Sequence, residues 1–442
     1  MAERRIKTAG KRFETLQLHT GNFRDQFGAC SVPVYSSASF WFPDSKTAGN
    51  SMVNFTADAY VYSRTSNPTV HVFEQRIAAL EGGTAAVAFS SGAAAVLVAV
   101  LSLARAGSNI ISTRSIHGGT YHQFHTLLSG LGIEARFVRD EASIEEIRQL
   151  IDENTRLIFT ETIGNPSFTV ADFDVLSEAA HQNGIPLVVD ATFSAAGYFC
   201  RPIDHGADIV IHSATKWIGG HGTTLGGVIV DSGKFDWGAN PEKFPQFHGG
   251  REGTADLNLY KVFGTEAYAA MLKADTLRDI GSTLSSQAAH ELLIGLETLS
   301  LRAERQASNA MQLAEWLEKH PLVSWVQYLG LENHPSHQLA LKYLSRGFGS
   351  VLAFGVKGGQ NAGLKLADNL ELIGHTANVG DSKTIIIHHR STTHSQLTEE
   401  ECLAIGVTDD LIRLSAGTEH IDDLKEDLDQ ALAKVAQSES QS

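Results

Sequence analysis

The sequence predicts an α/β protein: a mainly parallel sheet of the seven-stranded type covered by helices, followed by a smaller α+β unit. Three observations predict it. Short apolar runs alternate with helical patterns between residues 85 and 230, as strands joined by crossover helices do. Near residue 282 the texture changes to long helical patterning. The chain has 442 residues, more than one simple core organises, so two units and an arm are expected. The expected divisions are an arm over 1–67, an α/β unit over 68–282 and an α+β unit over 283–442.

Residues 1–67 lack clear periodicity and are rich in Ser, Asn, Thr and aromatic side chains, which reads as an extended arm. A helix opens at Pro68, where the missing N–H costs nothing. Val72, Ile77 and Leu80 give it an apolar side, and Gly82-Gly83 stops it. Ala85–Phe89 is an apolar strand candidate leading into a helix that opens at Gly92. Further strands are expected over 109–112, 135–138, 157–160, 186–190, 208–211 and 226–230, with helices such as 172–182 between them. Residues 283–320 carry helical patterning through Leu292, Leu293, Leu296, Leu299 and Trp316. Strands over 350–354 and 383–388, a helix from Ile421 and a disordered end at 437–442 complete the expectation.

Charge and cysteine usage narrow the function. Lys and Arg total 35 against 50 Asp and Glu, and a net charge of −15 argues against a nucleic-acid partner, which needs a basic face. Cys30, Cys200 and Cys402 have neither zinc nor redox spacing, so no metal site is expected and a reducing compartment fits. The basic start has no apolar stretch behind it, and no run approaches the ~18 apolar residues of a membrane span. A cytoplasmic protein acting on small molecules is the expectation.

The strongest chemical signal is Ser213-Ala214-Thr215-Lys216, which follows an apolar run and precedes Gly219-Gly220-His221-Gly222. An ammonium at the exit of a buried strand is costly, so burial favours the neutral amine. That is the form a Schiff base with pyridoxal 5′-phosphate (PLP) requires. The hydroxyls of Ser213 and Thr215 suit phosphate oxygens. An ordinary lysine on a surface turn is the alternative. One crossover upstream, an apolar strand ends in Asp190, where an anion can face a protonated pyridine nitrogen. A helix cap would use the same residue. Ser90-Ser91-Gly92-Ala93-Ala94-Ala95 turns into a helix and presents free N–H groups to an anion, or serves close packing alone. The three together fit one PLP site better than three coincidences.

At these motifs the chain resembles the Cys/Met-metabolism PLP enzymes of fold type I, and among them the O-acetylhomoserine sulfhydrylases. The resemblance covers nearly the whole chain. It is carried by Tyr62-Ser63-Arg64-Thr65-Ser66-Asn67-Pro68-Thr69, Glu161-Thr162-Ile163-Gly164-Asn165-Pro166, Gly197-Tyr198-Phe199-Cys200-Arg201-Pro202, the run from His212 to Gly233, and Leu411-Ile412-Arg413-Leu414-Ser415. It implies that Lys216 holds the cofactor and moves protons, and that Asp190, beside Thr192, pairs with the pyridine nitrogen. It implies that Gly92, Ala93, Ser213 and Thr215 hold the phosphate and that Asn165 approaches the cofactor hydroxyl. Tyr62 and Arg64 are implied to reach the phosphate of a neighbouring subunit, so at least a dimer is expected, commonly a dimer of dimers. Arg413, with Asn378 nearby, is implied to bind the amino-acid carboxylate, as a guanidinium fork can; a strand salt bridge is the plainer use. The implied reaction is γ-replacement on O-acetyl-L-homoserine.

Four stretches depart from that family. His117, in Ile116-His117-Gly118-Gly119-Thr120, stands where the family has a tyrosine stacked on the cofactor. Imidazole still stacks, and it titrates near neutral pH, so His117 is also a candidate base. Asp190-Ala191-Thr192 replaces Asp-Asn-Thr. In His388-His389-Arg390-Ser391 a cation, Arg390, enters the substrate-facing segment next to Ser391. Arg251-Glu252-Gly253-Thr254-Ala255-Asp256 replaces a Tyr-His-Gly stretch. Departures gathered at the site suggest a nucleophile other than sulfide, such as the enolate of a β-keto acid or aldehyde. Sulfide addition, γ-elimination and a non-catalytic binding role are the competing readings, as is drift with compensation.

Overall fold

The structure is a computed structural model that describes residues 4–54, 60–249, 258–392, 398–404 and 406–439. Seven strands form the large sheet: β1 (Ala85–Phe89), β2 (Asn109–Thr113), β3 (Glu134–Val138), β4 (Thr155–Glu161), β5 (Leu187–Asp190), β6 (Ile209–Ser213) and β7 (Gly227–Asp231). Their order across the sheet is β1-β7-β6-β5-β4-β2-β3. All neighbours are parallel except β7, which runs antiparallel to both β1 and β6. The central strands are apolar on both faces: Leu157, Ile158, Phe159, Leu187, Val188, Val189, Ile209, Val210 and Ile211 are fully buried. Such continuous runs belong in a sheet covered by helices on each side. The mainly parallel sheet expected from the sequence is therefore present, with strand ends displaced by one or two residues.

Helix α1 (Pro68–Glu81) shows why local signals were legible. Asn67 caps it by accepting the Thr69 N–H at 2.9 Å, and Gly82 ends it in the left-handed region at φ 77°. The Asn67 amide also donates to the Tyr35 carbonyl at 2.8 Å and to Ser63 Oγ at 2.9 Å, tying the preceding segment to the helix.

The second sheet has five strands: β8 (Val323–Gln327), β9 (Val351–Val356), β10 (Gly374–His375), β11 (Ile385–His388) and β12 (Leu411–Ser415). The order is β8-β9-β12-β11-β10, antiparallel except for β10 beside β11. Helix α3 (Leu299–Glu318) joins the two halves, after α2 (Gly92–Leu103) on the large sheet. Leu299, Ala303 and Ala307 enter the apolar core of the large sheet, while Ala310, Leu313, Ala314 and Leu317 enter that of the small one. We keep the division at 282 and 283 as a proposal about folding units: the two sheets lie on either side of it, although the first core crosses it.

The helical patterning expected over 283–320 is present as two helices, Ser286–Glu297 and α3, parted at Thr298 where ψ is 11°. Two expectations need correction. The arm is not extended throughout, since Phe13–His19 and Ser45–Asn54 are helical. Phe13 is buried with its ring 5.4 Å from that of Tyr198, and Gln17 exchanges hydrogen bonds with Ser300. Seven residues are too few for a visible period, so packing against α1, Tyr198 and the start of α3 rather than pattern makes the first of these helices. The last helix, Ile421–Glu439, takes in the first half of the end expected to be disordered.

Asn67→Ala removes a helix cap and two anchors of the arm. We expect it to lower unfolding stability by about 1 kcal/mol, read as a lower urea midpoint, with Asn67→Asp losing less because it still caps. An unchanged midpoint in the alanine variant would remove Asn67 from this role.

Candidate active site

The carboxyl ends of β4, β5 and β6 lie side by side, with Glu161 in register with Asp190 and Asp190 with Ile211. Ligands of open α/β sheets bind beyond such ends. Helix α2 opens at the same place. Ser91 caps it, accepting the Ala94 N–H at 3.1 Å. A Cβ on Gly92 would come 2.6 Å from the Cβ of Ser213, so only glycine lets the helix start approach the end of β6 so closely. Free amides at a helix start beside the Ser213 hydroxyl form an anion cradle. Ala93 is exposed on the same turn, and Thr215 Oγ1 accepts the Gly226 N–H at 3.1 Å.

Asp190 is held by Thr192. Its Oδ1 accepts the Thr192 N–H at 2.9 Å and the Thr192 hydroxyl at 2.6 Å, and Thr192 Oγ1 accepts the Ser213 N–H at 2.8 Å. Burial raises the Asp190 carboxyl above its ordinary value, while the Thr192 bonds and His212 act against that rise. Ala191 is fully buried and donates its N–H to the Ile211 carbonyl at 2.8 Å. The departure at 191 therefore sits in strand packing.

Lys216 is half-buried and its Nζ donates to Asn378 Oδ1 at 2.6 Å. Burial, then the Arg413 charge, brings its ammonium down to about 8. Arg413, on β12, is buried. It donates to Asn165 Oδ1 at 3.4 Å and to the Asn378 carbonyl at 3.2 Å, and burial lowers it to about 10. Among the described residues it forms no ion pair with a carboxylate. Lys216, Asn378, Arg413 and Asn165 thus make one connected group drawn from both halves of the chain.

The remaining expected residues fall as follows. His117 is exposed at the start of the short helix Gly118–His122, and its N–H donates to Glu161 Oε1 at 2.6 Å. Tyr62 and Arg64 are exposed, with the guanidinium 5.4 Å above the Tyr62 ring. Among the described residues no hydrogen bond or ion pair joins those two to Lys216, Asp190 or Arg413 in this chain. Arg390 pairs with Asp409 at 3.3 Å, and Ser391 Oγ bonds His388 Nδ1 at 2.8 Å. The expected extra cation therefore already has an anion beside it. The stretch 251–256 lies outside the described residues. Sequence reasoning missed Glu161 as a site residue, although a carboxyl closing an apolar strand is the signal that singled out Asp190.

This arrangement defines a PLP-dependent enzyme of fold type I. The chain belongs to the Cys/Met metabolism PLP-dependent enzyme family, whose model matches residues 14–433. It is 52% identical over 427 residues to sulfhydrylase-like protein lolC1 of Epichloe uncinata, covering 96% of this chain and 88% of that protein. It is also 52% identical to the homocysteine/cysteine synthase of Kluyveromyces lactis over 435 residues, covering 96% and 98%. A solved structure of a putative O-acetylhomoserine (thiol)-lyase from Campylobacter jejuni, carrying a pyridoxyl-lysine phosphate, has a TM-score of 0.92 and 35% identity, covering 96% of this chain and all of that one. PLP is the cofactor, and the residues fit it: the Gly92 turn forms a cradle that a Cβ would fill, and a lysine of lowered pKa stands beyond it. No described helix is long and apolar enough to cross a membrane.

We propose that PLP bonds Lys216; only the neutral amine can react with the aldehyde, and its fraction grows as pH rises through the folded-state pKa. We expect the rate of PLP uptake by the apoenzyme to climb with pH and level off above about 8. A climb continuing toward 10.5 would show an unperturbed lysine. Lys216→Ala should lack the visible absorbance band at every pH.

Proposed function

We propose that this chain catalyses γ-replacement on O-acetyl-L-homoserine, in which acetate leaves and a nucleophile bonds to Cγ. Arg413 carries the reading. A buried guanidinium without an anion is costly, and the α-carboxylate of an amino acid supplies that anion through paired hydrogen bonds. Relatives named homocysteine synthase, from Schizosaccharomyces pombe, and O-acetyl-L-homoserine sulfhydrylase 1, from Thermus thermophilus, support the choice of amino acid.

PLP, when bound, withdraws electrons from the substrate and makes its Cα proton acidic. Lys216, neutral above about 8, takes the proton at Cα, removes one at Cβ so that acetate can leave Cγ, and returns protons to Cβ and Cα once the nucleophile has bonded; Asn378 orients its amine by the 2.6 Å bond. Asp190 presents its carboxylate to the pyridine nitrogen, steadied by Thr192. Gly92, Ala93, Ser213 and Thr215 hold the phosphate, Asn165 meets the ring hydroxyl, and His117 covers the ring face. Tyr62 and Arg64 complete the phosphate site of a second copy, which makes the working protein at least a dimer and, by the same reading, a dimer of dimers.

For the nucleophile we infer a carbon acid such as a β-keto acid or aldehyde enolate. Support comes from His117, whose imidazole is smaller than the phenol it replaces and is exposed. One observation favours sulfide and homocysteine formation instead: Arg390 is engaged by Asp409, which leaves it a poor anchor for an acidic second substrate. Mass spectrometry of products from O-acetylhomoserine with sulfide or with β-keto acids separates the two. Faster homocysteine formation would overturn the carbon-acid reading, and 2-oxobutanoate without a second substrate would indicate γ-elimination.

Arg413→Ala should raise KM for the amino-acid substrate by an amount equivalent to about 2–5 kcal/mol while PLP affinity changes little. An unchanged KM would take Arg413 out of the substrate site. Because Arg390 is engaged by Asp409, Arg390→Ala should slow acetate release and coupling about equally; a selective loss of coupling to a carboxylate-bearing nucleophile would instead make Arg390 that nucleophile's anchor.

A further inference from the structure

Glu161 closes β4 and lies in register with Asp190 at the end of β5, so the two carboxyl side chains leave the sheet on one face. Glu161 is 5% exposed. Neighbouring carboxyls in a buried place cannot both hold a negative charge cheaply. Their surroundings decide which one does. Asp190 receives two hydrogen bonds from Thr192 and lies near His212, which is bonded to Glu81 at 2.6 Å. Glu161 receives the His117 amide, and among the described residues no cation pairs with it. Burial first, and Asp190 second, push Glu161 far above the ordinary carboxyl range. An ionised Glu161 would set a second negative charge against Asp190. A protonated one still has a carbonyl oxygen to accept the His117 amide.

We propose that Glu161 is a positioning residue of the cofactor site, carrying the proton of the Glu161–Asp190 pair and holding the His117 ring over the cofactor through the His117 amide. The inference deepens the reading that His117 covers PLP and rests on it. Ser115, two residues before, is held by Asp140, and Tyr121 donates to the His117 carbonyl, but the bond to Glu161 is the tie from this amide to a strand end of the site. The turn around His117 opens a five-residue helix without a side-chain cap, and Gly119 follows so closely that a Cβ there would lie 2.7 Å from His117 Cε1. A bond from a core strand end to this amide therefore lets a rigid sheet help set the height of an exposed ring.

The test measures PLP binding to apoenzyme by fluorescence quenching in a double-mutant cycle. Glu161→Ala should weaken PLP binding on the order of tenfold, the effect of one buried hydrogen bond and the turn it fixes. Glu161→Gln stays neutral and can accept the same amide, so it should restore affinity to within about twofold of the parent. In a His117→Ala background, Glu161→Ala should add less than about a twofold loss, because no ring remains to be positioned. The pH profile of the bound cofactor's absorbance should be the same in Glu161→Gln as in the parent. Equal losses in the glutamine and alanine variants, or a shifted profile in the glutamine variant, overturn the proton assignment. A full tenfold loss that persists without the His117 ring overturns the positioning route. If His117→Ala alone leaves PLP affinity unchanged, the reading of His117 fails first, and that single variant shows it.

Discussion

The bond from Lys216 to Asn378 crosses from the large sheet to the small one, and the chemistry of the site depends on that crossing. Lys216 follows β6, whereas Asn378 lies between β10 and β11 and its carbonyl accepts from Arg413 on β12. Two basic side chains thus share a poorly hydrated place: burial lowers the proton affinity of both, and the Arg413 charge lowers that of Lys216 further. Like charges brought together by folding cost stability unless something balances them. At Lys216 the balance is a proton held less tightly, lost as pH rises through about 8. At Arg413, which stays charged near neutral pH, our reading gives that part to the carboxylate of the amino-acid substrate. One packing decision thus serves both the amine and the carboxylate site that we propose.

That decision is carried by the ends of strands rather than by loops. Glu161, Asp190 and Ser213 close three adjacent strands, and hydrogen bonds through Thr192 lock the second to the third. Backbone positions at the end of a buried parallel sheet are among the least mobile a fold offers, so the polar groups there are set before any ligand arrives. Gly92 matters for the same reason. With a side chain at 92, the start of α2 would be pushed off Ser213 and the amides would no longer converge with the hydroxyl. The antiparallel β7 contributes by bringing Gly226 back beside Thr215, whose hydroxyl it engages.

Much of this was legible in the sequence because the strands are buried on both faces. Residues 186–190 and 208–211 are near-continuous apolar runs closed by polar residues, and no other element type of that length fits them. The small sheet was harder to read. Val323–Gln327 mixes Ser and Gln with partly exposed apolar residues, and β10 is two residues long, so neither carries a period of its own. Helix Phe13–His19 escaped notice because its stability lies in contacts with Ser300 and Tyr198, nearly the whole chain away. In the site, Lys216, Asp190 and the Gly92 turn announced themselves locally. The partnership of Arg413 with Asn378 and Asn165 did not, since it joins three separate stretches, and Glu161 was passed over because its role involves the backbone of His117 and not its side chain.

The departures from the family separate once the geometry is known. Ala191 is enclosed and answers to packing, so it says nothing direct about the second substrate. Arg390 has an anion at Asp409, on the segment that also receives the His388 ring through the Asp409 carbonyl at 2.8 Å, so its charge is spent on joining two stretches of the small sheet's rim. Among the departures at described residues, His117 alone combines exposure with a direct tie to the strand ends of the proposed cofactor site. A change from phenol to imidazole at that position alters ring size and titration together. It does so while the amide bond to Glu161 keeps the backbone where any side chain would need it. If the chain has been retuned for a different nucleophile, His117 is the position at which the fold allows the change without disturbing Lys216 or Asp190.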